Sequence, residues 1–102
     1  MSLTGGQKDL LCSVAASSIE SGFRTERPPT VARNEFEAAL LQPGASFVTL
    51  RIEQQLRGCI GTLSAHCTLV EDVSSNAYKA AFTDPRFSRL TRPEFERTII
   101  TI

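Results

Sequence analysis

Cys59 lies between two glycines, Gly58 and Gly61, with Arg57 just before them, in the stretch QLRGCIGTL at 55–63. A thiol attacks electrophiles as its thiolate, which a neighbouring cation favours, and open space beside the sulfur admits a substrate. On an alternating strand, Arg57, Cys59, Gly61 and Leu63 share one face, and Leu56, Gly58, Ile60 and Thr62 share the other. Cys59 is then a candidate nucleophile, and Arg57, Gly58 and Gly61 are binding residues around it. The same residues admit a packing role. Glycine weakens a strand interior, so two so close together imply a close approach of some other element. In that alternative a helix sits on the glycines, Cys59 is a small buried hydrophobe, and Arg57 pairs with a carboxylate such as Asp84.

A second group is DPRF at 84–87. Asp84 is a candidate catalytic residue, placed to orient Arg57 or to take a proton, and Arg86 is a candidate clamp for an anionic group. The alternative is a structural turn in which Asp84 bonds local backbone, Arg86 makes an ion pair and Phe87 anchors the loop. Cys59, His66 and Cys67 lack the paired short spacings of a zinc site, so no metal is expected. A Cys-His dyad would have to use His66, at the far end of the strand. No helix start follows the glycines as a phosphate loop requires, and no cofactor is expected.

The elements that must position these residues follow from spacing. Leu10, Leu11, Val14, Ala15, Ser18 and Ile19 recur at helical intervals over 7–21, with Gly22 expected to end the run. The stretch 23–33 carries a double proline and reads as an extended connection. Asn34 and Glu37 suggest a cap pair opening a short helix to Leu41, which QPG at 42–44 breaks. Val48, Leu50 and Ile52 alternate with Phe47, Thr49 and Arg51. With a turn at EQQ, residues 46–63 form a hairpin. Thr68 and Glu71 cap a helix reaching about Phe82. A loop with one turn of helix after Thr91 then leads into a closing strand at 97–102. Helices and strands without strict alternation predict an α+β fold with an antiparallel or mixed sheet.

A chain of 102 residues is one domain, and 11 basic against 11 acidic residues leave no net charge. Nucleic-acid binding is not supported: Glu94 and Glu96 dilute the cluster Arg86, Arg89, Arg92 and Arg97. Three unpatterned cysteines, no apolar run of membrane length and no signal segment predict a cytoplasmic protein away from membranes. Met1–Leu3 reads as a cloning remnant.

FVTL at 47–50, LRGCIGT at 56–62 and AAFTDPRFSRLT at 80–91, in this order and spacing, resemble the AMMECR domain. That family is named for the chromosomal region of the Alport syndrome, midface hypoplasia and elliptocytosis phenotype. The resemblance implies an α+β fold in two lobes and no established activity. It also implies association in microbes with a Memo-like protein and a radical S-adenosylmethionine enzyme, hence a shared modification pathway with RNA among its candidate targets. Family members continue well past residue 102, so the chain is expected to hold the first half of such a domain. A closing strand with an open edge predicts pairing with a second copy. Two functions stay open: an enzyme or enzyme subunit centred on Cys59, or a binding or adaptor domain with an inert, packed thiol.

Overall fold

The computed structural model describes residues 3–27 and 29–102, and its fold is α+β. Helix α1 (Gly5–Thr25) is opened by a reciprocal cap in which Thr4 and Gln7 satisfy each other's backbone N–H groups. It runs through Gly22, which the spacing marks as its end. A β-carbon on Gly22 would stand 2.2 Å from the Phe82 ring, so this glycine serves helix packing. The helix stops at Glu26, whose φ of 59° is left-handed and whose N–H reaches back to the Gly22 carbonyl.

The short helix expected over 34–41 is instead two 3₁₀ turns, Arg33–Glu35 and Ala38–Leu41. Asn34 falls inside the first turn and Glu37 precedes the second with no side-chain cap bond, so the cap pair does not form. Packing places these turns: Leu40 is fully buried, and Gln7 Nε2 donates to Glu37 Oε1 at 3.0 Å. Of the expected remnant, Met1 and Ser2 lie outside the described residues, while Leu3 packs against the core.

Strand β1 (Pro43–Gly44) pairs with β4 (Cys67–Thr68) as a small antiparallel sheet. The main antiparallel sheet has the order β3-β2-β5, with β2 (Phe47–Ile52) between β3 (Gln55–Gly61) and β5 (Thr98–Thr101). Glu53 and Gln54 make the hairpin turn with positive φ at both, so Gln55 already belongs to β3. Helix α2 (Leu69–Phe82), capped by Thr68 and Glu71, covers one face of this sheet and is itself covered by α1. Leu11, Ala15 and Ile19 meet Val70, Val73 and Ala77 over Val48 and Leu50. A one-turn helix α3 (Arg92–Glu96) leads into β5. No helix among the described residues is long and apolar enough to cross a membrane.

Candidate functional site

Cys59 lies on β3, an edge strand. Its side toward β2 is paired, with Thr49 directly opposite, and its own N–H and C=O point outward. Those two groups meet side chains from the DPRF loop. Asp84 Oδ2 accepts the Cys59 N–H at 3.0 Å, and Arg86 Nη2 donates to the Cys59 carbonyl at 3.2 Å. Asp84 and Arg86 thus take the place of a neighbouring strand at this one residue, which closes the edge locally. Since the backbone bonds of Cys59 point away from β2, Cys59 and Thr49 form the closer kind of cross-strand pair. Their side chains touch, Oγ1 to Sγ, at 3.3 Å. The thiol is half-buried on the sheet face opposite α2.

Asp84 is buried, yet its carboxylate is heavily bonded. It accepts from the Arg86 backbone N–H at 3.0 Å, from Arg86 Nε at 3.1 Å and from Arg86 Nη2 at 2.8 Å, in addition to Cys59. The Arg86 side chain, followed by the backbone N–H donors, outweighs burial and holds this carboxyl well below the usual range. A group so firmly ionised is a weak proton acceptor and a strong anchor. Arg86 is half-exposed and held charged chiefly by Asp84.

Arg57 goes elsewhere. Pairing shifts between Leu50 opposite Gly58 and Arg51 opposite Leu56, so Arg57 is the extra residue of a bulge. The face-sharing of Arg57 and Cys59 expected from alternation rests on a period that this bulge interrupts. The guanidinium is gripped by Glu94, Nε to Oε2 at 2.9 Å and Nη2 to Oε1 at 3.1 Å, and by the Ser88 carbonyl at 3.0 Å. Its carboxylate partner is therefore Glu94, and Asp84 belongs to Arg86. The Phe87 ring lies against both guanidinium groups, 5.7 Å from Arg57 and 5.4 Å from Arg86. Leu90, rather than Phe87, anchors this loop in the core.

Both glycines are accounted for by packing. A β-carbon on Gly58 would meet the Ala80 carbonyl oxygen of α2 at 2.2 Å, and one on Gly61 would meet the Phe47 ring at 2.4 Å. His66 contacts Ser64 and is exposed. Among the described residues, no three His, Cys, Asp or Glu side chains are grouped as metal ligands would be. Reasoning from the sequence missed Glu94 and Thr49. The Thr91-to-Glu94 cap spacing was the available signal for Glu94, because a capping carboxylate is held in place and can accept a second partner.

A family model described as AMMECR1 matches residues 12–102 of this chain. The chain belongs to the AMMECR1 family. A protein of Sulfolobus acidocaldarius is 36% identical over 97 residues, which is 90% of this chain and 41% of that protein. One of Aeropyrum pernix is 43% identical over 65 residues, covering 60% of this chain and 28% of the relative. The crystal structure of the uncharacterized protein PH0010 from Pyrococcus horikoshii superposes with a TM-score of 0.79 at 26% identity, over 91% of this chain and 48% of that one. This AMMECR1 chain thus spans less than half the length of each of these relatives.

The two ion pairs predict an acid limb in stability. Glu94 is lowered from 4.5 to about 2, first by the Arg57 side chain, and Asp84 is lowered chiefly by Arg86. Carboxyls depressed in the folded state add stability above their unfolded values and lose it as pH falls through the folded ones. Urea midpoints should therefore hold down to about pH 4.5 and then decline toward pH 2. Glu94→Gln should flatten part of that decline, as a midpoint series across this range would show.

Proposed function

We propose that this chain is the thiol-bearing part of an enzyme, or of an enzyme subunit, in a modification pathway, with Cys59 as nucleophile. Arg86 is the cation for an anionic group of the substrate, and Asp84 positions both by holding Arg86 and the Cys59 backbone. Arg57 and Glu94 brace the neighbouring loop. The observation that carries this reading is the two-sided clamp on Cys59, which fixes the backbone while the side chain stays part-exposed on the sheet face away from α2. Preorganisation of this kind is what a nucleophile needs. The pathway assignment, with Memo-like and radical S-adenosylmethionine proteins as partners, rests on the family association alone.

Alkylation by iodoacetamide at neutral pH, followed by peptide mass spectrometry, tests the reading. Burial, then Asp72 and Glu71, push the Cys67 thiol up, which makes it a slow internal reference. Cys59 should react roughly tenfold faster than Cys67, and Arg86→Gln should slow Cys59 while leaving Cys67 unchanged. Reaction of Cys59 only on unfolding removes the nucleophile.

A second reading is a binding or adaptor domain. Phe47 and Ile99, both more than half exposed, lie with Leu56 on the same sheet face as the thiol, as the cross-strand pairs Phe47–Gly61, Thr49–Cys59, Arg51–Leu56 and Arg51–Ile99 require. Exposed apolar side chains on one face suit a protein partner, a second copy pairing along β5 included. A slow, unremarkable Cys59 favours this reading, and light scattering reports on self-association.

A further inference from the structure

The Cys59 thiol is in hydrogen-bond contact with the Thr49 hydroxyl, Sγ to Oγ1 at 3.3 Å. Thr49 belongs to β2, the central strand, which is paired on both sides. With the backbone groups of Cys59 turned outward, those of Thr49 turn to β5, where Thr101 is the partner. A β-branched side chain has few χ1 states, so the Thr49 hydroxyl stands on a fixed backbone and a stiff Cβ. Cys59 is held from its other side by Asp84 and Arg86. The contact between oxygen and sulfur therefore joins two residues whose backbones are both fixed.

The direction of this bond depends on the charge of the sulfur. Beside a neutral thiol, either atom can donate. A thiolate has no hydrogen, so the Thr49 O–H must then donate to it. That bond is charge-assisted and roughly twice as strong as the neutral one. A hydrogen bond that strengthens on ionisation favours the ionised form, and in a cysteine that form is the nucleophile.

We infer that Thr49 is the positioning residue of the Cys59 thiolate: its hydroxyl donates to Sγ, orients the sulfur on the sheet face and raises the thiolate fraction near neutral pH. The inference rests on the reading of Cys59 as nucleophile. Among the charged groups around Cys59, Asp84 opposes ionisation, while Arg86 and Arg51, the latter two residues along β2 on the same face, favour it. Arg57 is engaged by Glu94, the β5 residues Ile99 and Thr101 on this face carry no charge, and α2 lies on the opposite face. An exchange at Thr49 leaves all of these in place, so its effect reads the hydroxyl.

The experiment is the iodoacetamide rate of Cys59 followed from about pH 6 to about pH 10. Thr49→Val removes the donor, and valine has the shape of threonine and suits a strand. Thr49→Ser keeps the donor. In Thr49→Val the midpoint of the profile should rise by about one pH unit, so that below it the rate falls about tenfold. At the alkaline plateau Thr49→Val should be no slower than the parent, because a thiolate relieved of a hydrogen bond is at least as nucleophilic. Thr49→Ser should stay close to the parent, and the Cys67 rate in the same samples should be unchanged. A Thr49→Val profile that superposes on the parent, one lowered equally at every pH, or a Thr49→Ser variant that follows Thr49→Val overturns the role of Thr49 and leaves the nucleophile standing. A parent Cys59 that stays silent until the protein unfolds overturns both.

Discussion

Asp72→Ala is expected to lose about 4 kcal/mol of stability, read as a shift of the urea unfolding midpoint at neutral pH. Asp72 is buried and has no cation partner among the described residues, but four donors converge on it. Ser46 donates through its backbone N–H and its hydroxyl, both at 2.7 Å, Asn76 through Nδ2 at 3.1 Å and Thr62 through Oγ1 at 2.8 Å. These partners come from the entry to β2, the exit from β3 and α2 itself, so one carboxylate ties three elements together. Removing it strands buried donors, each costing about 1–3 kcal/mol when unsatisfied, against a total stability of roughly 5–15 kcal/mol for a domain. Asp72→Asn keeps one acceptor oxygen and should fall between the parent and the alanine variant. A loss under about 1 kcal/mol for Asp72→Ala would mean that water replaces the carboxylate and that the network is not what joins the sheet to α2.

Gly58→Ala should cost about 3 kcal/mol, at the upper end of what overpacking usually does. Its β-carbon would stand 2.2 Å from the Ala80 carbonyl oxygen and 3.1 Å from its carbon, so the obstacle is helix backbone. Either α2 lifts from the sheet or β3 moves outward. The second course would pull Cys59 away from Asp84 and loosen the clamp. Circular dichroism during urea unfolding gives the stability, and the alkylation rate of Cys59 in the same variant reports on the clamp. Gly61→Ala is the informative contrast. There the obstacle is the half-exposed Phe47 ring, which can swing away, so the cost should be well below that of Gly58→Ala.

The strands and α2 were legible because their signals are local. Val48 and Leu50 alternate with Phe47, Thr49 and Arg51, and in the structure the first pair is fully buried while Phe47 and Arg51 are exposed. Thr68 with Glu71 is a cap whose partners lie three residues apart, and it forms; the turn of helix expected after Thr91 forms too. The failures have a common cause. Gly22 reads as a helix stop by its own preferences, yet its lack of a side chain is used by Phe82, sixty positions along the chain. Asn34 and Glu37 have the spacing of a cap, but the segment is held by Leu40 in the core and by contacts to α1 and α2, and those select 3₁₀ turns.

At the site the division is sharper. The residue types, the close sequence association of arginine, glycines and cysteine, and the family itself were all readable from the order of residues in LRGCIGT and AAFTDPRFSRLT. Which charge met which was not. A single-residue bulge at Arg57 is invisible in an alternating pattern, and it decides that Arg57 pairs with Glu94 while Arg86 and Asp84 go to Cys59. Spacing within a turn or a pleat is set by the geometry of the local chain. The pairing of groups 25 to 37 residues apart is set by how a helix, a loop and a sheet edge pack, where competing arginines and carboxylates differ little in chemistry and only position separates them.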